Sequence, residues 1–309
     1  MSQRLKIWIA LLTIYLVWGS TYLGIRYAVE TIPPFLMAGT RFLLAGLILY
    51  AWRRLAGDPA PTRGQWLRAS VVGLLMLLGG NGLLSLAEQH VASGIAALII
   101  GSVPLWMTTI EALRPGGARP NILAILGLVV GFGGIALLVA PSLLSGNPLE
   151  SQPLGILMLL GASLFWSLGS IYSRTASLPD STLLATAMEM LAGAVGLYLV
   201  GAFAGEWSRL TLANVTGRSW FSLFYLVIFG SMVGFTTYAW LLRAAPVSLV
   251  ATYAYVNPLV AILLGSLLAQ ESMSASELLA AAIIIGSVVL INVSRRRKPQ
   301  PPPAAAIGE

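Results

Sequence analysis

Long uninterrupted apolar runs constrain this chain more than any other feature. Ten runs of eighteen or more mostly apolar residues follow one another, at Ile7–Ala28, Phe35–Trp52, Ser70–Ala87, Val91–Leu113, Ile122–Ala140, Leu154–Thr175, Leu183–Phe203, Trp220–Leu242, Val247–Ala269 and Ser276–Val293. Each is long enough, as a helix, to cross a hydrocarbon layer about 30 Å thick. Short segments rich in Pro, Gly or charge separate them. A transmembrane β-barrel would need alternating strands of about ten residues, and these runs are continuous and rich in Leu, Ala and Gly. Only 9% of the 309 residues are charged and 57% are hydrophobic, against roughly 25% charged in soluble domains. The fold class expected is an all-α membrane protein with ten transmembrane helices, and its surroundings include a lipid bilayer.

The net charge of +7 suggests nucleic acid until the positions are read. The basic residues sit at helix ends and in short loops, with no basic face to follow phosphates, so a nucleic-acid partner is not expected. Placing the N-terminus in the cytoplasm puts Arg4, Lys6, Arg53, Arg54, Arg63, Arg68, Arg114, Arg119, Arg174, Arg243, Arg295, Arg296, Arg297 and Lys298 on that side. Arg209 and Arg218 alone fall in an outer loop, and Arg26 and Arg41 lie in or near spans. Lys and Arg in short loops set orientation, so both termini are expected in the cytoplasm. Glu30, Glu88, Glu150, Glu206, Glu271 and Glu277 collect on the outer side. The first apolar run has basic residues before it, like a signal peptide, but continues to Ala28 without a small-residue cleavage site, and reads as an uncleaved span. The tail 295–309 is basic and then proline-rich, and reads as disordered. Cysteine is absent, which removes disulfides and thiolate chemistry.

Shifting the chain on itself reveals two related halves, 1–146 and 147–294. At an offset of 148, Trp18 meets Trp166, Arg26 meets Arg174, Leu49 meets Leu197 and Tyr50 meets Tyr198. At an offset of 154, Trp66 meets Trp220, Gly80 meets Gly234, Ala97 meets Ala251 and Pro104 meets Pro258. Five helices per half is an odd number, so the second half would enter the membrane from the opposite side. Inverted repeats are a recurring architecture of secondary transporters, with substrate bound near the midplane.

Arg41 and Glu189 occupy equivalent positions in the second and seventh spans, each about 12 Å from its helix start at 1.5 Å per residue. A charge at the bilayer centre costs about 2.5–3.5 kcal/mol on insertion scales, so neither should face lipid. One reading is a charged cavity in which Arg41 attracts a carboxylate and Glu189 binds an amino group or exchanges a proton. The other is a structural tether to a carbonyl, a polar neighbour or each other. Polar and aromatic residues also recur at helical spacing. Tyr15, Trp18 and Tyr22 line the first span, and Asn81, Ser85 and Glu88 the third. Ser163, Ser167 and Ser170 line the sixth beside Trp166. Ser248, Thr252 and Tyr255 line the ninth, with Tyr253 and Asn257 on an adjacent face. Such groups need a wet cavity or partners inside the bundle, and interhelical hydrogen bonds are the competing explanation for any one of them. The cavity candidates are Trp18, Tyr22, Arg41, Asn81, Ser85, Ser102, Trp106, Trp166, Ser170, Glu189, Tyr238, Thr252, Tyr255 and Asn257.

Pro104 and Pro258 stand at equivalent places in the fourth and ninth spans, as hinge candidates or as static kinks. Gly127 and Gly131 form a GxxxG pair in the fifth span beside Gly133 and Gly134, a pattern of close helix packing or of a dimer contact; a monomer or weak homodimer is expected. His90, the one histidine, lies at a helix boundary next to Glu88, either as a pH sensor or as a hydrated loop residue. With no HExxH, no Cys and no second His, no metal site can be assembled from the usual soft ligands. The glycines show no phosphate-binding loop, so no cofactor and no enzymatic activity are expected.

The segments WGSTYLGIRYAVETIPPFLMAGTRFLLAG from Trp18, GNGLLSLAEQHVASGIAAL from Gly80 and ATYAYVNPLVAILLG from Ala251 resemble the EamA family of the drug/metabolite transporter superfamily. So do GSIYSR from Gly169, AMEMLAG from Ala187 and the QES containing Glu271. Within the family the likeness is to the YedA-type exporters of the bacterial inner membrane. The resemblance implies two five-helix inverted repeats, a central cavity between helices 1–4 and 6–9, and proton- or gradient-driven efflux, with protons a candidate coupling ion. Arg41 matches the family's second-helix arginine and Glu189 the YedA-type seventh-helix acid. The expected function is secondary export of small amphipathic metabolites such as amino acids by alternating access. Export of cationic drugs is the alternative, and a membrane enzyme or scaffold without flux is a third reading.

Overall fold

The computed structural model describes residues 2–115, 120–144, 152–245, 247–250 and 252–295. Arg119, Glu150, Arg296, Arg297, Lys298, most of the tail and the junction between the halves lie outside the described residues. Within them the chain is helical, with no strand.

In order, the elements are α1 (Gln3–Ala28), α2 (Pro34–Leu55), α3 (Arg63–Gly73), a π-helical segment π1 (Leu74–Gly82), α4 (Leu83–Ala87), α5 (Ser93–Ile100), α6 (Val103–Leu113) and α7 (Ile122–Leu144). Then come α8 (Gln152–Ser173), α9 (Thr182–Phe203), α10 (Glu206–Arg209), α11 (Gly217–Tyr225), π2 (Leu226–Val233), α12 (Gly234–Ala244), α13 (Val247–Val250), α14 (Tyr253–Ala269) and α15 (Ala275–Arg295). Among the described residues eight helical stretches are long and apolar enough to cross a membrane, and Ile122–Leu138 and Tyr253–Ala269 are shorter apolar helices.

Helix starts follow local chemistry. Thr62 and Gln65 form a capping box at α3, with Thr62 N–H donating to Gln65 Oε1 at 2.9 Å and Gln65 N–H to Thr62 Oγ1 at 3.2 Å. This satisfies two donors that a helix start leaves orphaned. Pro34 begins α2, where a missing N–H costs nothing. Two continuous spans expected from the sequence are interrupted. The fourth is split between α5 and α6 at Gly101–Ser102, and the ninth between α13 and α14. Pro104 therefore falls in the first turn of α6, where no helix hydrogen bond is lost, whereas Pro258 lies inside α14.

Packing couples the halves. α2 runs along α9, α1 along α14, and α7 along α15. Three of the α7 glycines face α15: a side chain on Gly127 would meet Ile291, one on Gly131 Ser287, and one on Gly134 Ile283. Close approach of these two helices accounts for that stripe. Large apolar side chains left outside, among them Leu12, Leu16, Val129, Leu157 and Leu263, form the outward surface.

One end of the bundle is tied tightly. Glu271 accepts from Ser93 N–H (3.1 Å), Ser93 Oγ (2.9 Å) and Gly94 N–H (3.3 Å), and pairs with Arg26 Nε at 3.3 Å. Arg26 Nη1 also donates to the Val91 carbonyl at 3.1 Å, and Tyr27 donates to the Leu268 carbonyl at 2.9 Å. Arg218 pairs with Glu30 at the same end.

Candidate functional site

A cavity lies between the halves. α1 contributes Trp18, Thr21, Tyr22 and Ile25; α2 contributes Arg41; π1 and α4 contribute Gly80, Asn81 and Leu84. Ala97, Ile100, Gly101 and Val103 come from the broken α5–α6, Ala162 and Trp166 from α8, Phe235 from α12, and Tyr253, Ala254, Asn257 and Pro258 from α14.

Arg41 is the charged residue in this lining, and it is only 4% exposed. Its Nε donates to Ser231 Oγ at 2.8 Å. That bond uses one of five guanidinium N–H groups and fixes the plane of the rest. The guanidinium fits because residue 230 is glycine: a Cβ there would lie 3.0 Å from Arg41 Nη2 and 2.9 Å from the Thr21 methyl. The same turn positions Trp18, whose Nε1 donates to the Gly230 carbonyl at 3.2 Å. A Cβ on Gly234 would overlap that indole nitrogen. Trp18 stands in an aromatic cluster with Phe235 at 5.4 Å, Tyr238 at 5.0 Å and Tyr253 at 5.3 Å between ring centroids, separations at which edge and offset contacts are favourable.

Asn257 is buried and its Oδ1 has no hydrogen-bond partner. A buried acceptor without a donor is costly, and this one belongs to a residue lining the cavity. Asn81 by contrast donates through Nδ2 to the Met76 carbonyl at 3.4 Å within its own helix.

Of the residues singled out from the sequence, Trp18, Tyr22, Arg41, Asn81, Trp166, Asn257 and Pro258 are brought together here. Glu189 is in a second, smaller cavity with Val72, Gly73, Met76, Leu77, Thr186, Met190 and Phe235. Phe235 borders both cavities. Arg41 and Glu189 form no ion pair among the described residues. Ser102 donates to the Ile99 carbonyl at 2.5 Å and Ser170 to the Trp166 carbonyl at 2.7 Å, so both hydroxyls are satisfied within their own chain segment. Thr252 bonds to Tyr15. Trp106 turns its ring to Phe132 of α7 at 5.1 Å, and Tyr238 packs behind Trp18. Ser85, Tyr255 and Pro104 are also outside the lining. Sequence reading did not single out Thr21, Ser231, Phe235 or Gly230. Their signal is tertiary, since Ser231 meets Arg41 across 190 positions of sequence.

A many-helix bundle with an apolar exterior and an interior cavity carrying a buried cation defines the class, a polytopic membrane protein. The chain belongs to the EamA-like transporter family, which it matches over residues 5–140 and again over 153–293. It is 41% identical to the inner membrane transporter YedA of Escherichia coli (strain K12) over 280 residues, covering 90% of this chain and 88% of that one. It is 27% identical to the transporter YvbV of Bacillus subtilis (strain 168) over 281 residues, covering 89% and 88%. A protein of known crystal structure shares the fold, with a TM-score of 0.64 at 23% identity over 94% of this chain and 98% of that one.

Proposed function

We propose that this protein is a secondary transporter of the bacterial inner membrane that exports small amphipathic metabolites, such as amino acids, by alternating access. The observation that carries this reading is the buried Arg41 guanidinium in a largely apolar and aromatic cavity. A fixed guanidinium is suited to a carboxylate, the unpartnered Asn257 Oδ1 to an ammonium N–H, and the Trp18, Tyr22 and Trp166 rings to an apolar side group. Glu189 stands beyond Phe235 as a second station for an amino group or a proton.

The reading takes the chain as ten spans in two inverted halves, and the helix packing supports it. α1 packs on α14 much as α8 packs on α5 and α6, and α2 packs on its own repeat mate α9. This exchange of partners is what two halves related by a two-fold axis in the membrane plane require. Basic residues favour N- and C-termini in the cytoplasm.

The test is flux of radiolabelled leucine and phenylalanine, with a cationic dye in parallel, in proteoliposomes. Arg41→Gln should lower amino-acid flux about 10–100-fold, the loss expected when one charge-assisted contact worth about 1.5–3 kcal/mol is removed. Glu189→Gln should affect flux less, because it leaves the central cavity intact. If the dye is carried and depends on Glu189 alone, export of cationic drugs replaces this reading.

A further inference from the structure

Glu88 follows the last residue of α4 and is 2% exposed, yet neither of its carboxyl oxygens has a hydrogen-bond partner. The charged groups that face it are Arg26 of α1, Glu271 after α14 and Arg41 of α2, with the Tyr22 hydroxyl also in its field. Both arginines are engaged elsewhere. Arg26 is held by Glu271 and the Val91 carbonyl, and Arg41 by Ser231. α8 packs along α4 from the other side, and its residues 153–163 contain no titratable group. The Arg26 backbone N–H is near Glu88 but outside hydrogen-bond geometry, so a carboxylate enclosed this way has little compensation, while a neutral carboxyl is tolerated. Two of the groups whose charge acts on Glu88 also tie this end of the bundle: Glu271 is bonded to the start of α5, and Arg26 to Glu271.

From this geometry we infer that Glu88 is a proton-binding switch: the closed end holds a proton on its carboxyl, and release of that proton to water favours opening. The inference rests on the alternating-access reading above and adds the regulation of one gate. A second observation limits it to one end. By the offsets of the repeat, the mates of Arg26, Glu88 and Glu271 are Arg174, Leu242 and Gly117. By sequence, those repeat-mate positions keep the arginine but carry neither acid, so proton binding at Glu88 has no counterpart there. Since a ligand shifts an equilibrium only by its differential affinity for the two states, a proton held more tightly by the closed end closes it.

The absence of native cysteine makes a labelling test clean. A single cysteine replaces Ala97, a fully buried residue of the cavity lining, in a His90→Gln background that removes the neighbouring histidine. An exposed reference cysteine at Gln89, at the same end, is made separately. A membrane-impermeant maleimide is added to sealed vesicles from the side on which the Gln89 reference reacts. The ratio of the two rates at each pH removes the thiol's own titration. That ratio should rise at least fivefold from pH 5.5 to 8.5, and in Glu88→Gln it should stay flat at the low-pH value. An equal rise in Glu88→Gln, or no rise in either, overturns the switch. Failure of Glu88→Gln to fold also overturns it, because the neutral side chain is then not the resident form. Labelling needs no substrate, so a flat ratio with Arg41-dependent flux refutes the switch alone. A pH-dependent ratio without flux refutes the transport reading alone.

Discussion

Glu206 sends its two carboxyl oxygens to the backbone N–H groups of Phe35 (3.2 Å) and Leu36 (2.9 Å) at the start of α2. The first turn of a helix carries unsatisfied donors and positive potential, so a distant acid supplies the cap that Pro33 cannot. Burial holds the Glu206 carboxyl above its ordinary value of 4.5, with the two backbone N–H groups and Arg209 pulling the other way. A raised folded-state pKa means that this group's titratable contribution is complete below about 4.5 and is lost as pH rises through the folded value. Glu206→Ala should cost about 2 kcal/mol at acidic pH, through two buried donors left unpaired. The gap to the native chain should narrow as pH rises. Thermal unfolding in detergent at pH 4.5 and pH 8 checks this, and a gap that widens with pH would refute it. In the sequence Glu206 is only one acid among several gathered on one side. Its role depends on α2 arriving from 170 positions away, and no local pattern records that. Arg41 was legible because a charge inside an apolar run is itself a signal, whereas Ser231 carries none.

At the scale of elements, apolar runs locate the helices well because the membrane demands length and hydrophobicity together. They do not show where helices change pitch. π1 and π2 occupy the third and eighth spans, and after the repeat offset they largely coincide. Both deliver cavity contacts, π1 through Gly80 and Asn81 and π2 through Gly230 and Ser231. π-Helical segments concentrate at functional sites, but Leu-, Gly- and Met-rich sequence fits an α-helix equally well. Just before π1, α3 touches α9 backbone to backbone. A Cβ on Gly73 would overlap the Glu189 carbonyl, and one on Gly193 would lie 2.7 Å from Leu77 Cβ. No rotamer change relieves a clash with backbone, so Gly73→Ala should separate these helices and cost about 1–3 kcal/mol. It should also change the small cavity that holds Glu189. Glycine-to-alanine at Gly133, where an added Cβ meets nothing within 4 Å, is the matched control, expected to leave the melting temperature unchanged or slightly raised. Equal effects at the two positions would remove the packing argument.

For the whole molecule, the two shorter apolar helices decide between arrangements. The apolar part of α7, Ile122–Leu138, would span about 25 Å at 1.5 Å per residue, short of a hydrocarbon layer of about 30 Å. The full helix has 23 residues and reaches about 35 Å by the same rise. α14 has 17 residues and is preceded by α13, so the broken pair together can cross where α14 alone falls short. If both cross, single cysteines at Lys6, Gly64 and Arg174 share one side of the membrane, and those at Gln89, Trp207 and Ser276 share the other. If α7 stays on one side, every later helix inverts, and Arg174 and Trp207 exchange sides while Lys6, Gly64 and Gln89 keep theirs. Labelling from each face of sealed vesicles with an impermeant maleimide reads this directly, and all six positions are exposed. Two inverted halves predict the first pattern, because an odd number of crossings per half is what turns the second half over. Arg174 labelling with Gln89 would leave the halves parallel, and the exchange of partners around the Arg41 cavity would then need another explanation.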